Sequence, residues 1–389
     1  MTRPKLRFKE FDGDWNSIAI GKFLKIKSGL GFKAEEYTTD EEIRLLQIEN
    51  VGYGKVKWTH NVKFVPSNYL EVHKDLVLRD GDLVLALNRP VTNDQLKIAK
   101  LTKQDSPSIL YQRVGKLDLL KEDFDTDFIF QIFQKDVKSY VLNSSIGSDQ
   151  PFISTTDLYK HKLCIPPKGE QIKIASFLSS VDGKISQLNQ KHELLSQYKQ
   201  GMMQKLFSQQ IRFKADDGSE FGEWEEIALG EIKGVSIASG KSSYEKLESA
   251  KYYYYGSTGV IGYSNEYDYQ GTKILIARVG HNAGYIYMVT GKYNVSDNTL
   301  ILELPSNLNY IFIRAFLEKI QLNKLVFGTG QPLITGGLLK KVVIQVPCLE
   351  EQTKIANFLS VIDQKVENVA QQIEETKQWK KGLLQQMFV

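Results

Sequence analysis

The sequence is poor in cysteine and has no long apolar run. Its two cysteines, Cys164 and Cys348, are isolated, which excludes a disulfide framework and favours a reducing, cytoplasmic setting. No apolar stretch approaches the roughly 20 residues that are needed to cross a bilayer. The first residues, Met-Thr-Arg-Pro-Lys, are not followed by the apolar segment that is typical of a signal peptide. We therefore expect neither a secreted nor a membrane protein.

Motifs for metal binding and catalysis are also missing. The five histidines show no HExxH spacing and the sequence contains no CxxC, so no zinc site is expected. Gly-x-Ser-x-Gly is absent, and so is the Asn/Asp-Pro-Pro-aromatic tetrapeptide of amino-methyltransferases. The segment from Gly234 to Ser242 resembles a phosphate-binding loop, but five residues separate Gly234 from Gly240 where that motif has four. We interpret the chain as non-catalytic.

The sequence also lacks a strong excess of basic residues. The net charge is only +4 over 389 residues, whereas proteins that bind nucleic acid through many phosphate contacts are often strongly basic. The overall charge therefore neither requires nor excludes DNA binding. Any DNA-binding surface has to be a local patch that is balanced by acidic residues elsewhere.

What the sequence does contain is an internal repeat. Residues 165–207 align with residues 346–388 without gaps at a constant offset of 181, and 18 of the 43 positions are identical. A weaker echo, in which Leu6–Lys9 resembles Ile211–Lys214, opens each half. A repeat of this length is too long for a solenoid. It predicts two domains that are related by a pseudo-two-fold axis within one chain.

Both copies of the repeat are predicted to be long amphipathic helices. Apolar residues recur at alternating spacings of four and three, from Ile174 to Leu206 and from Ile355 to Met387, which is the heptad pattern of coiled coils. Such a narrow apolar seam requires a partner. The other copy in antiparallel orientation is the economical choice. Polar residues interrupt the later part of each seam, namely His192, Lys199, Thr376 and Lys380.

The blocks between the helical repeats differ from each other. Asp82–Leu87 and Lys273–Arg278 are predicted to be buried strands that lead into polar loops, and helical segments follow at roughly 126–142 and 306–321. The predicted fold class is α+β: two mixed-sheet domains joined by two long antiparallel coiled-coil helices, with internal pseudo-two-fold symmetry. The predicted boundaries are 1–164 for the first domain, 165–208 for the first helix, 209–345 for the second domain and 346–389 for the second helix.

Both blocks offer residues suited to reading DNA bases, since Arg, Lys, Asn and Gln on loops can reach a groove and aromatic residues can stack. For each residue taken singly, a solvated surface position is the alternative, and Tyr252–Tyr255 can also be ordinary strand residues. The candidates in the first block are Lys55, Lys57, Trp58, Asn88, Arg89, Asn93 and Arg113, with Ser148 and Gln150 in the turn before its helix. Those in the second block are Lys241, Tyr254, Tyr255, Arg278, His281, Asn282 and Tyr285, with Thr329 and Gln331 in the corresponding turn.

The motif Pro-x-x-x-Glu-Gln-x-x-Ile-Ala-x-Phe-Leu occurs twice, at Pro166–Leu178 and Pro347–Leu359. Together with the Gly-Ser-Thr-Gly-Val-Ile-Gly-Tyr segment at Gly256–Tyr263 and the two Gly…Gln-Pro turns, it makes the chain resemble the specificity (S) subunits of Type I restriction–modification systems. The resemblance covers essentially the whole chain. No one of these motifs carries it alone.

The resemblance implies a function. Each block would be a target-recognition domain for one half of a split, asymmetric DNA sequence, and the helices would set the spacer. Two methyltransferase subunits would dock on the helices, and restriction–translocase subunits could join. S-adenosylmethionine would be used by the methyltransferase, so this chain would bind no cofactor. A coiled-coil scaffold that binds only proteins is the alternative. A self-sufficient restriction–methylation enzyme is disfavoured because its motifs are missing.

Overall fold

The structure is a computed structural model that describes residues 3–144, 152–325 and 332–389. It separates into two compact units. The first unit comprises Met1–Gln187 and Ile373–Val389, and the second comprises Leu188–Gln372. These limits fall within the long helices, and the four-part division expected from the sequence stays a prediction.

The two helical repeats form helices close to the predicted bounds. The first long helix is Lys168–Phe207 and the second long helix is Leu349–Met387. The prolines at 166, 167 and 347 lie just before the helices begin. This is expected because proline is disfavoured in the interior of a helix but tolerated at its start. The repeat is therefore helical in both copies.

The first unit is built on two mixed sheets. The larger sheet has the central strand Leu83–Ala86, which is antiparallel to both of its neighbours. In order, its strands are Leu24–Ser28, Val114–Leu119, Leu83–Ala86, Ile98–Lys100 and Gly54–Lys55. The smaller sheet has the order Phe64–Val65, Ile43–Leu46, Ser108–Leu110 and Val77–Leu78. One parallel pairing in each sheet makes both of them mixed.

Shorter elements complete the first unit. Asn16–Ala19 pairs antiparallel with Lys162–Ile165, and Val91–Thr92 forms a hairpin with Gln95–Leu96. The α-helices are Tyr69–Val72, Thr126–Ile132, Lys138–Ser144 and Thr155–Lys160, and Phe133–Val137 is a π-helical turn between two of them. The 3-10 turns are Ile20–Lys22, Ala34–Glu36, Ile48–Asn50, Lys74–Leu76 and Lys103–Asp105. The helix expected at roughly 126–142 is thus present, with a π-helical turn at its middle.

The second unit also has two sheets. The first is antiparallel throughout, in the order Ser236–Ser239, Thr299–Glu303, Lys273–Ala277 and Ile286–Val289. The second is mixed, in the order Gly259–Ser264, Tyr252–Gly256, Lys292–Val295 and Tyr269–Gln270. Glu225–Ala228 pairs with Val343–Val346, and the helices of this block are Tyr310–Ile320, Leu322–Leu325 (3-10) and Gly336–Lys340. The chain is therefore α+β with two sheet-rich blocks, as predicted.

In the first unit, the core packs the sheet and the helix Thr126–Ile132 against the long helices. Trp15, Phe128 and Phe388 are buried, and their rings contact one another with centroid separations of 5.5–6.4 Å. The seam residues Ile174 and Leu178 belong to the same apolar cluster. Burying such aromatic and aliphatic side chains is worth about 1.5–3 kcal/mol each, so this cluster anchors the helices to the block.

The second unit repeats this core with its own residues. Phe207 contacts Phe312 at 5.4 Å, and Trp224 contacts the same phenyl ring at 5.8 Å. The seam residues Ile355 and Leu359 belong to this cluster. Phe207 and Phe388, 181 residues apart, therefore serve equivalent roles in the two units.

The Glu-Gln pair that opens each long helix is a buried anchor. Arg7 donates two hydrogen bonds, each of 2.7 Å, to the buried Glu170 carboxylate. Arg212 donates to Glu351 at 3.0 and 2.7 Å. Such paired geometry compensates a carboxylate for its loss of water. In each unit, the arginine of the short opening repeat thus pairs with the glutamate of the helix repeat. This pairing explains why both segments are present twice.

The glutamine of this pair ties each helix to its block. Gln171 Nε2 donates to the carbonyl oxygens of Pro166 at 2.9 Å and Asp123 at 3.0 Å, and its Oε1 accepts from the Asp125 backbone N–H at 2.9 Å. In the second unit, Gln352 makes the same three kinds of bond, with Pro347, Asn307 and Asn309. The repeated motif is therefore structural.

Candidate nucleic-acid interface

Three segments of the first unit meet where the central strand Leu83–Ala86 ends. The Leu87 backbone N–H donates to the Arg113 carbonyl at 2.9 Å, and the Leu87 carbonyl accepts from the Ile153 N–H at 2.8 Å. Asn88 forms an isolated β-bridge with Phe152. The backbone therefore places the polar loop after the strand beside Arg113 and Phe152.

These segments line a shallow, open cleft of about 430 Å³. Two of its lining residues, Asn88 and Arg113, were predicted to contact DNA, and the structure brings them together. Arg113 is exposed and Asn88 is half-buried. The full lining consists of Leu87, Asn88, Arg113, Phe152 and Ile153. The cleft thus combines hydrogen-bonding side chains with an apolar wall, which is the combination that base edges require.

The backbone around this cleft is strained. Arg89 and Arg113 have positive φ angles of 45° and 65°. A non-glycine residue in this region costs of order 1 kcal/mol or more and persists only where its surroundings enforce it. The side chains of Arg89, Asn93 and Arg113 are all exposed. Strain of this kind is typical of functional loops.

Asn93 lies at the tip of the hairpin formed by Val91–Thr92 and Gln95–Leu96. Successive positive φ angles at Asn93 and Asp94 match the tight turn preferred by two-residue hairpins. Asp94 forms ion pairs with Lys138 at 2.7 Å and Lys381 at 3.6 Å. The hairpin is thereby fastened to the helices, while the Asn93 amide remains exposed and within 3.4 Å of the Tyr53 hydroxyl.

The predicted group of Lys55, Lys57 and Trp58 is not uniform. Both lysines are exposed. The Trp58 indole N–H donates to Asp105 Oδ1 at 2.8 Å, and the Arg44 guanidinium lies 4.4 Å from the ring centroid. Trp58 also packs against the core of the smaller sheet. Its ring is thus held by the protein itself, whereas the lysines are available to phosphates.

The second unit repeats the geometry at the end of the strand Lys273–Ala277. The Arg278 carbonyl accepts from the Ile334 N–H at 2.8 Å, as Leu87 accepts from Ile153. Val279 forms an isolated β-bridge with Leu333, as Asn88 does with Phe152. The predicted residues His281, Asn282 and Tyr285 follow in this loop, and all three are exposed. Equivalent backbones therefore display different side chains.

Arg278 itself is half-buried and held by its neighbours. One terminal nitrogen of its guanidinium donates to Ser239 Oγ at 3.2 Å and to the Asp297 carbonyl at 3.4 Å. Its Nε is buried and has no hydrogen-bond partner in the described part of the chain. Only part of this side chain is accessible to a ligand.

The tyrosines of the second unit fall into two classes. Tyr254 is fully buried and its hydroxyl donates to the Lys241 carbonyl at 2.8 Å, so the prediction of a DNA contact there is wrong. Tyr255 is half-buried among other tyrosine rings, and burial raises the pKa of its phenol. Tyr285 is 51% exposed and Lys241 is exposed. Tyr285 and Lys241 are therefore the accessible candidates among these residues.

Four of the predicted contacts, Ser148, Gln150, Thr329 and Gln331, lie outside the described residues. Phe152 and Leu333, which flank those segments and are exposed, were not among the residues predicted from the sequence. The signal was available, since Pro-Phe-Ile at 151–153 and Pro-Leu-Ile at 332–334 obey the offset of 181.

The described ranges show neither a metal centre nor a membrane-spanning helix. No group of three or more His, Cys, Asp or Glu side chains there is placed to hold a metal ion. No helix within those ranges is both long and apolar enough to span a bilayer.

Comparisons with known proteins agree with this arrangement. The family described as "Type I restriction modification DNA specificity domain" matches residues 12–197 and 222–378. The Type I restriction enzyme MjaVIII specificity subunit of Methanocaldococcus jannaschii is 36% identical over 211 residues, 54% of this chain and 49% of the relative. The Type I restriction enzyme EcoAI specificity subunit of Escherichia coli is 28% identical over 195 residues, 49% of this chain and 32% of the relative.

The chain spans about half the length of the first of these relatives and about a third of the second. Among solved structures, the Type I restriction–modification S subunit from M. genitalium superposes with a TM-score of 0.63 at 19% identity. The match covers 100% of this chain and 99% of that one. This likeness indicates a shared fold.

Proposed function

The chain belongs to the Type I restriction–modification DNA specificity family, and we propose on that basis that it is the subunit that selects the DNA sequence for a Type I restriction–modification complex. The observation that carries the proposal is the duplicated loop geometry. A carbonyl after the central strand accepts from Ile153 in one unit and from Ile334 in the other. One frame therefore presents two different sets of side chains.

Each unit would read one half of a split target. The first unit offers Asn88, Arg89, Asn93 and Arg113, and the second offers His281, Asn282 and Tyr285. Arginine pairs well with guanine, and asparagine with adenine, in the major groove. Because the two sets differ, the two half-sites should differ and the target should be asymmetric. Exposed Lys55, Lys57 and Lys241 would contact phosphates, which position the protein without reading sequence.

The long helices would pair as an antiparallel coiled coil and set the spacer between the half-sites. Supporting this, the seam residues Ile174, Leu178, Ile355 and Leu359 are buried. Lys380 from the end of one helix pairs with Asp182 near the start of the other, and Lys199 pairs with Asp363. In each pair, the lysine lies near the end of one helix and the aspartate near the start of the other, as a pseudo-two-fold axis between the helices would produce.

The partners would supply all chemistry. Two methyltransferase subunits would dock on the helices, and restriction–translocase subunits would join them. S-adenosylmethionine would bind the methyltransferase, which flips an adenine out of the duplex. The chain itself would be non-catalytic and bind no cofactor. We place the complex in the cytoplasm, where the free thiols of Cys164 and Cys348 would stay reduced.

The test is co-expression with a methyltransferase subunit of such a system. We expect the two proteins to copurify and to methylate DNA at one defined sequence. Copurification with no sequence-dependent methylation or DNA binding would instead favour a protein-binding scaffold, and would refute the proposal.

A further inference from the structure

Phe152 is exposed in a way that no other described phenylalanine matches. Its side chain is 71% exposed, whereas the remaining described phenylalanines are buried or half-buried. Phenylalanine is normally among the most buried residue types because transfer of its ring out of water lowers the free energy. An exposed phenyl ring on the wall of a cleft is therefore a candidate for contact with a ligand.

The local backbone explains why the ring points outward. Phe152 is bridged to Asn88, and the next residue, Ile153, is buried with its N–H bonded to the Leu87 carbonyl. In extended chain, successive side chains point to opposite faces. Because Ile153 faces the core, Phe152 has to face solvent. The exposure is thus fixed by the strand pairing.

The surroundings of the ring are polar and suited to nucleic acid. Asn88 and Arg113 line the same cleft. Arg113 holds a positive φ of 65°, with its carbonyl accepting from the Leu87 N–H. An arginine, an asparagine and an apolar ring side by side match the three features of the major groove, namely guanine acceptors, the adenine edge and the thymine methyl group.

The same feature recurs in the second unit. Leu333 is 43% exposed and bridges Val279, while Ile334 is fully buried and bonded to the Arg278 carbonyl. Leu333 follows Phe152 by the repeat offset of 181. An outward apolar side chain is kept at this position, although its size and shape differ. An outward apolar side chain in both copies of the repeat argues against an accidental exposure.

We propose that Phe152 is a base-contacting residue of the first recognition unit, whose ring packs on the 5-methyl group of a thymine in the first half-site. Arg113 and Asn88 bond to the neighbouring base edges, and Leu333 holds the equivalent position in the second unit. This inference rests on the proposed function, and assigns to it residues that flank the predicted loops.

The experiment uses the full complex of this chain with its methyltransferase, after the target has been determined. Binding is measured for the wild type and for Phe152→Ala on duplexes in which each thymine of the first half-site is replaced in turn by uracil, which removes only the methyl group. We expect one uracil to weaken wild-type binding about fourfold. Phe152→Ala should bind thymine DNA more weakly by at least that factor and be insensitive to that uracil.

Two variants serve as controls. Phe152→Leu copies the residue of the second unit and should keep part of the thymine preference. Val72→Ala removes another exposed apolar side chain of the first unit, one that is 67% exposed, and should bind like the wild type. Copurification of each variant with the methyltransferase confirms that folding and assembly are intact.

The possible outcomes separate the two hypotheses. A wild-type complex without sequence preference would overturn the proposed function and this inference with it. If the wild type is sequence-specific, any of four results would overturn the Phe152 assignment alone. Phe152→Ala could bind thymine DNA like the wild type, keep the wild-type sensitivity to uracil, or fail to copurify with the methyltransferase. The fourth such result is a first half-site that contains only G·C pairs.

Discussion

Lys380 near the end of the second long helix lies 2.7 Å from Asp182 on the first long helix. Asp182 also accepts from Gln131 of the recognition block at 2.8 Å. In the second unit, Asp363 pairs with Lys199 at 2.6 Å and with Arg314 at 2.7 Å. Each of these two aspartates therefore connects both long helices to one block. This explains why the aspartate is identical in the two repeats, and why an identical lysine, Lys199 or Lys380, interrupts each apolar seam.

Replacing Lys380 with methionine should therefore weaken the first unit. The Lys380 side chain is only 11% exposed, and its removal leaves the Asp182 carboxylate with fewer partners. We expect the free energy of unfolding to fall by about 1–2 kcal/mol, as measured by denaturant unfolding of the full chain.

The matched control lies one turn earlier on the same helix. Lys377 pairs with Glu374 at 2.6 Å, but both side chains are largely exposed, so Lys377→Met should cost less than about 0.5 kcal/mol. Equal losses for the two variants would show that the Lys380 pair has no special role.

Replacing Trp58 with phenylalanine should reduce stability and leave the DNA target unchanged. The variant keeps most of the ring but loses the N–H that donates to Asp105, a buried carboxylate. We expect a loss of about 1–3 kcal/mol, measured by thermal or denaturant unfolding, with the same modified sequence in the host. A stable variant with an altered first half-site would instead place Trp58 on the DNA.

How far the sequence allowed prediction depended on the range of the interactions. The long helices and their seams follow from local periodicity, and Ile174, Leu178, Ile355 and Leu359 are buried as expected. The strand Leu83–Ala86 was predictable from its apolar run, and the polar loop after it does lie at a cleft. These features depend on residues that are near one another in the chain.

The rest depends on contacts between distant residues. Trp58 is held by Arg44 and Asp105, and Tyr254 is buried beneath the Lys241 carbonyl, so residue type alone could not tell these rings from exposed ones. The outward orientation of Phe152 depends on its pairing with Asn88, 64 positions earlier. Sequence periodicity does not show which of two successive side chains in so short an extended segment faces the core.

Histidine 161 should make stability depend on pH. Burial lowers the pKa of the His161 imidazole, and the weaker attraction of Asp136 opposes this shift. The folded chain thus prefers the neutral ring, whereas the unfolded chain protonates near pH 6.5. The stability that depends on His161 is present above about pH 6.5 and is lost as the pH falls from there through the lower pKa of the folded ring.

The measurement compares wild type with His161→Gln, which cannot titrate. The midpoint of thermal unfolding of the wild type should fall relative to that of the variant between about pH 7.5 and pH 5.5. A difference that stays constant over this range would contradict the assignment. At the higher pH, the difference reports only the changed packing against Tyr140, whose ring lies 4.8 Å away.

Lengthening both helices should lengthen the spacer in the recognised DNA. Four residues inserted after Ser186 and four after Glu367, which are equivalent positions, add about 6 Å of helix, or roughly two base pairs. Both half-sites should stay the same. A four-residue insertion after Asp217, in an exposed turn, is the control and should leave the spacer unchanged. Altered half-sites with an unchanged spacer would mean that the helices do not set the distance.

The most direct test of the central claim exchanges one recognition block and reads the outcome by sequencing modified bases. Residues 22–145 are replaced with the corresponding block of a relative, and the chain is expressed with its methyltransferase. We predict a split target in which the first half-site changes while the second half-site and the spacer stay the same. A target in which both halves change, or neither does, would contradict the claim that each unit reads one half-site.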